Sequence, residues 1–253
     1  RSCQPRLQTR LAMQQHDQQH AAFVLHSRPY RETSLLVDLF VAEVGKVSVV
    51  ARGGRRPGSS LRQALQPFNQ LSIRFKGRDE LKTLLGAETT EHLPALQGRS
   101  LLCGLYANEL VQRLLQPLEP MPRLFLFYRY LLNELISGED VEGALRTFEH
   151  QLLKELGLWD DLNQLKEPYY RYTEQQGWVV VSDPSPGCYA LSWLREIEAD
   201  RYTDANVRKA AKHLMRTKLN QLLGDKPLRS RALFERRDKT NRTQFTGAPS
   251  EPS

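Results

Sequence analysis

No stretch constrains the fold of this chain more than Ala22 to Phe68, AFVLHSRPYRETSLLVDLFVAEVGKVSVVARGGRRPGSSLRQALQPF. Three apolar runs, Ala22–Arg28, Leu35–Phe40 and Val47–Ala51, are each too short for a buried helix and are rich in β-branched or aromatic residues. Pro29 is expected to end the first run in a turn or edge. Glu43 to Lys46 reads as a hairpin turn. Leu71–Phe75 and Leu81–Thr90 add two strands around Lys76-Gly77-Arg78-Asp79, with room only for a helical turn at Ser60–Leu65. Five short strands at roughly ten-residue spacing predict a five-stranded barrel, which removes its edges by closure.

From Ser100 onward the period changes. Leu101, Leu102, Leu105, Tyr106, Leu110, Val111, Leu114 and Leu115 recur mostly three and four apart, as on a helix face. Further helices are predicted over Arg123–Ile136 and over Val141–Leu156 with Gly157 as C-cap. Others follow over Leu191–Ala199 and over Ala205–Leu223 between an Asp204 cap and Gly224. Between them, residues 168–181 alternate aromatic and polar side chains and predict a β-hairpin. The expected organisation is therefore α+β. A polar, Gln-rich disordered extension (1–20), with Met13 a start residue inside it, precedes a barrel domain (21–93). A mainly α-helical domain (94–237) and a loose tail (238–253) follow.

Charge is unevenly placed. Residues 21–93 carry 11 Lys/Arg against 7 Asp/Glu, residues 94–204 carry 10 against 17, and residues 205–242 carry 12 against 3. The last block repels itself unless a polyanion or the acidic middle neutralises it. Three widely spaced cysteines, Cys3, Cys103 and Cys188, imply a reducing, cytoplasmic setting and no disulfide framework. No apolar run is long enough to span a membrane.

No catalytic or phosphate-binding motif occurs: HExxH, GxSxG, the P-loop and a GxGxxG after a strand are all absent. The paired carboxylates Asp160/Asp161 and Glu196/Glu198 have no nucleophile or metal ligand beside them and read as solvated surface, so no enzyme is expected. The strongest chemical signal is the loop Ala51–Gly58. Its glycines allow close backbone approach, and Arg52, Arg55 and Arg56 offer forked phosphate contacts. Arg62 follows, and Arg74, Lys76, Arg78 and Lys82 surround the next hairpin; together these predict a groove for a nucleic-acid backbone. The alternative is a flexible, solvated loop. Phe40, Phe68 and Phe75 lie nearby but suit a core as well as a stacking platform. On the last long helix, Arg208, Lys212 and Arg216 follow at intervals of four, with Lys209 and Lys218 beside them, and form a second candidate surface for DNA or an acidic peptide.

These residues resemble one known family, the bacterial DNA repair protein RecO. The resemblance is carried in order by FVLHSRPYRETSLLVDLF, GKVSVVARGGRR, LRQALQPF, GLYANELVQRLL, LRTFEHQLLKELG and GDKPLRSRALF, across residues 22–235. It implies an amino-terminal OB-fold followed by a helical domain. The implied function is non-enzymatic recombination mediation: binding single- and double-stranded DNA, annealing complementary strands, and helping to load RecA onto DNA coated by single-strand-binding protein. RecR and sometimes RecF are the implied partners, in a cytoplasmic, nucleoid-associated setting. Many relatives carry a four-cysteine zinc motif in the helical domain. Only Cys188 lies in that region here, so no zinc is expected.

In the family, the acidic, hydrophobic tail of single-strand-binding protein docks on the helical domain. The match over LRTFE makes Arg146 the candidate for the tail's carboxylate, with Leu145 and Phe148 read as core. An ion pair between Arg146 and Glu149 or Glu142 is the alternative. A second functional class also stands: an adaptor that recruits repair partners with only incidental DNA contact. An RNA-binding barrel would leave the helical half unexplained.

Overall fold

The computed structural model describes residues 18–234. Most of the expected extension and all of the expected tail lie outside the described residues. Strands β1 (His20–Tyr30), β2 (Ser34–Val41) and β3 (Gly45–Ala51) form a meander. A short helix, α1 (Ser60–Ala64), separates it from β4 (Gln70–Lys76) and β5 (Leu81–Glu91). Antiparallel β1–β4 pairing and parallel β3–β5 pairing close the barrel in the order β1-β2-β3-β5-β4. Its interior is built by alternation: Leu35, Val37, Leu39 and Val41 on β2 meet Val47, Val49 and Ala51 on β3, and Leu65 at the end of α1 joins them.

Pro29 stands on an edge, as one of its two expected outcomes, but it does not end β1. It pairs with Leu35 and the strand runs on to Tyr30. The reason lies in the neighbours: β1 pairs with β4 only over His20–Phe23, so its later half has one open edge, where a missing N–H costs little.

The second half is helical: α2 (Gly98–Leu114), α3 (Pro122–Ser137), α4 (Val141–Glu155), a 3₁₀ turn (Leu162–Gln164), α5 (Leu191–Glu198) and α6 (Ala205–Leu223). A small sheet, β6 (Tyr169–Thr173), β7 (Gly177–Val180) and β8 (Tyr189–Ala190), is inserted before α5, and residues 229–234 are again helical. Helix α4 is the centre of the bundle, with every residue from Gly143 to Leu153 buried. Two of its polar members share one partner: His150 Nδ1 lies 2.8 Å from Asp200, and Gln151 donates to the same carboxylate at 2.7 Å.

The two halves share one core. A bulge between Val24 and His26 turns β1, and Leu25 leaves the ladder. Its carbonyl accepts from Asn108 Nδ2 on α2 at 2.9 Å, and Asn108 in turn accepts from the Tyr128 hydroxyl on α3. Phe23 and Phe40 lie against the same helices, with ring centroids 5.1 and 5.4 Å from Phe125 and 5.1 and 5.9 Å from Tyr128. That is why β2 is apolar on both faces: Leu39 points into the barrel and Phe40 into the bundle. A second joint forms at the β2–β3 turn, where Lys46 Nζ donates to the Gln112 carbonyl at 2.7 Å. There Gly45 has φ +90° and lies so close to the Glu119 carbonyl that a Cβ would sit 1.9 Å from its oxygen.

Asn108→Ala strands a buried carbonyl and a buried hydroxyl together. It should lower the unfolding free energy by about 3 kcal/mol in urea denaturation, whereas Asn108→Asp, which keeps the acceptor, should restore part of that loss.

Candidate functional site

The Gly/Arg loop follows β3 and is held by its own backbone. Gly53 has φ +71°, a conformation in which glycine is unstrained, and the Arg56 N–H donates to its carbonyl at 3.0 Å. Arg55 is anchored twice to the β1–β2 turn: its backbone N–H donates to Thr33 at 3.0 Å and its Nη1 to the Arg31 carbonyl at 2.9 Å. The loop thus has a defined shape, with Arg52, Arg55 and Arg56 exposed on it.

The remaining barrel cations are spread along the wall. Arg74 pairs with Gly86, and Thr83 lies opposite Val50, so Arg74 stands level with the end of β3 from which the loop departs. The β4–β5 turn carrying Arg78 precedes Leu81, which lies opposite Ser48. At ~3.3 Å per residue it is therefore more than about 10 Å back along β3 from Arg52. Lys76, Arg78 and, on α1, Arg62 are exposed. Lys82 is not a surface cation: it is 7% exposed, and its Nζ donates to the Gly77 carbonyl at 3.1 Å, closing the turn. Phe40 is core, Phe68 packs at Gly104 of α2, and Phe75 stacks on His20, so none of the three stands out as a platform.

Helix α6 divides its cations among three tasks. Arg208 is tied to the Thr203 carbonyl (3.1 Å) and lies 3.9 Å from Asp140. Lys218 is 4% exposed, pairs with Asp160 at 2.7 Å and lies over the rings of Tyr172 and Trp159. Lys212 and Arg216 are exposed, have no ion-pair partner among the described residues, and stand on the rim of a cavity of about 600 Å³. The acidic pairs expected to be solvated surface are structural in part. Asp160 holds Lys218, and Glu198 takes Lys154 Nζ at 2.7 Å and Trp159 Nε1 at 2.8 Å.

The cavity lies where α2, α4, α6 and residues 231–234 meet. Its apolar lining includes Leu102, Leu145 and Phe234, and its cations Arg99, Arg146, Lys212, Arg216 and Arg231 outnumber Glu142 and Glu149. Arg146 lies in it, 6% exposed, with its Nε 3.0 Å from Glu149 Oε2 and its Nη2 donating to Oε1 at 3.2 Å. Tyr106 donates to the same carboxylate at 2.6 Å. Burial pushes the Glu149 carboxyl up, against the opposing pull of Arg146 and the Tyr106 hydroxyl. The ion-pair alternative for Arg146 is thus realised, and the side chain lines the cavity as well. Phe148 is core as expected; Leu145 is both buried and cavity-lining.

Comparison with known proteins decides the family. The family profile described as Recombination protein O N terminal matches residues 13–93, and that described as Recombination protein O C terminal matches residues 95–164. The DNA repair protein RecO of Haemophilus influenzae (strain 86-028NP) is 43% identical over 220 residues, covering 84% of this chain and 93% of the relative. Those of Cellvibrio japonicus (39%, 84% and 94%) and Escherichia coli O139:H28 (40%, 84% and 92%) are similar in extent. The chain belongs to the RecO family of DNA repair proteins. The barrel is the RecO amino-terminal OB-fold, and the helical half follows it.

Two of the RecO-like segments, GLYANELVQRLL and GDKPLRSRALF, come together in space. Glu109 on α2 accepts from the backbone N–H groups of Arg229 (2.8 Å) and Ser230 (2.9 Å) and from the Ser230 hydroxyl (2.8 Å). Sequence reasoning missed this contact and with it Arg99, Tyr106, Arg231 and Phe234 as cavity residues. A signal existed in Ser230, a small polar residue beside the buried Leu228, yet its partner is 121 residues away.

Partial burial pushes the Glu109 carboxyl up, but the Ser230 and Arg229 N–H groups, the Ser230 hydroxyl and Arg113 outweigh it and hold it below its ordinary value. A depressed carboxyl stabilises the fold above its unfolded pKa, and that share is lost as pH falls through the folded value. The stability difference between the wild type and Glu109→Gln, followed by urea denaturation, should therefore be largest at neutral pH and shrink below about 4.5.

Proposed function

We propose that this RecO-family chain is a recombination mediator that binds single- and double-stranded DNA and anneals complementary strands. On this reading it helps load RecA onto DNA coated by single-strand-binding protein, with RecR as its partner and RecF as one that only some members of the family use. The observation that carries the DNA part is the exposed Arg52-Arg55-Arg56 loop, whose backbone is fixed by bonds to the β1–β2 turn. A loop already ordered loses little entropy when it meets a phosphate chain, and arginine forks suit phosphate oxygens. Arg74, at the same end of the barrel, extends this surface; Arg62, Lys76 and Arg78 would make further, more distant contacts.

The cavity supports the partner part. An apolar lining with exposed cations at the rim suits a peptide that is acidic and ends in a hydrophobic residue, as the tail of single-strand-binding protein does. Lys212 and Arg216 would meet the acidic residues, and Arg146, held by Glu149, would take the terminal carboxylate through Nη1. Cys188 is the one cysteine near the β6–β7 hairpin, so the reading includes no zinc site. The spread of the barrel cations favours the second reading, an adaptor with incidental DNA contact. Annealing of oligonucleotides coated with single-strand-binding protein separates the two, since an adaptor alone would not speed it.

Arg52→Ala, Arg55→Ala and Arg56→Ala combined should weaken oligonucleotide binding and reduce the slope of log K against log salt by about 2 for single strands. An unchanged slope would remove the loop from the interface. Arg146→Lys keeps the charge but not the fork, and should weaken binding of a labelled acidic peptide with a free terminal carboxylate by about fivefold. The amidated peptide should show no such difference; equal losses for both peptides would remove Arg146 from the carboxylate role.

A further inference from the structure

The outer wall of the cavity is carried by the segment that follows α6. After α6 ends at Leu223 the chain turns through Pro227 and resumes a helical path at residue 229, placing Arg231 and Phe234 on the cavity.

One turn of α2 holds both ends of that connection. Glu109 receives the three bonds from Arg229 and Ser230 at the start of the new helix, where unsatisfied N–H groups and the helix dipole favour a carboxylate. Four residues on, Arg113 donates to the carbonyls of Leu223 (3.1 Å), Lys226 (2.7 Å) and Pro227 (3.2 Å), where α6 ends and its carbonyls lack helical partners. The two side chains lie 3.9 Å apart. Ser230 and Leu228 are buried by the arrangement, and Leu228 joins the bundle core. Neither Glu109 nor Arg113 lines the cavity.

We propose that Glu109 and Arg113 are positioning residues for peptide capture. They latch residues 223–230 to α2 and so hold Arg231 and Phe234 where an acidic peptide with an apolar end meets a wall already in place. This rests on the reading of the cavity as a peptide site. With the latch intact the wall is preorganised; without it, ordering residues 229–234 is charged to binding.

The test uses the full chain and a short labelled peptide of aspartates ending in Phe with a free carboxylate. Glu109→Gln should weaken binding about fivefold to tenfold, and Phe234→Ala should weaken it independently. In the Arg231→Ala/Phe234→Ala background Glu109→Gln should add little, because both wall side chains it positions are gone. An equal further loss there would show Glu109 acting through general stability and would overturn the proposal. Ser230→Ala, which removes one of the three bonds, should give a smaller loss of the same kind if Glu109→Gln does not fold. Amide hydrogen exchange supplies a readout that needs no ligand: residues 226–234 should exchange faster in Glu109→Gln, and unchanged exchange overturns the latch. If the wild type binds no such peptide, the cavity reading falls, and exchange alone decides whether Glu109 positions the wall.

Discussion

One buried hydroxyl holds the two halves of this chain in register. Tyr128 is fully buried, donates to Asn108, and through it reaches the Leu25 carbonyl that the β1 bulge has turned out of the barrel ladder. The same ring touches Phe23 and Phe40 from the barrel and Phe148 from α4. A bulge ordinarily leaves a peptide unpaired; here the unpaired carbonyl becomes the docking point for a helix. The barrel has to close, the helices have to pack and β1 has to kink at one place, because each supplies an atom the others would otherwise leave unsatisfied.

Much of the fold was legible because its periods are clean. Val47, Val49 and Ala51 alternate inward on β3, and the apolar residues of α2 recur three and four apart, so element type followed from spacing alone. Pro29 left turn and edge both open, because its effect depends on whether a second strand lies alongside, which no local pattern records. Lys82 and Lys218 misled for a related reason. A lysine reads as solvated, yet its long stem can be buried when a carbonyl, a carboxylate or an aromatic face waits at the end, and those partners come from the turn at Gly77 or from Asp160 and Tyr172. The cavity was least legible, since its lining is drawn from four separate segments, with only Arg146, Lys212 and Arg216 singled out beforehand.

The charge distribution takes on meaning once it is placed. Many cations of this basic chain are committed internally: Lys46 to a helix carbonyl, Arg113 to three carbonyls, Arg195 to the Leu162 and Leu165 carbonyls. The cations that face outward include those of the loop after β3, those spread along the barrel wall and those on the rim formed by α6. Net charge alone would have overstated the surface available to a polyanion, because an arginine that closes a helix end is no longer available to a phosphate.

The shared core also governs how the chain can be divided. Residues 92–97 look like a linker, and the barrel before them is closed and contiguous in sequence. Yet Phe23, Leu25 and Phe40 belong to the helical core, and Lys46 and Gly45 close against the connection between α2 and α3. A fragment cut at the linker would carry three bare hydrophobic side chains on one wall of the barrel, while the remaining piece would lose the wall its aromatic cluster rests on. The two halves are successive in the chain but jointly folded, so neither piece is a faithful stand-in for the part it represents.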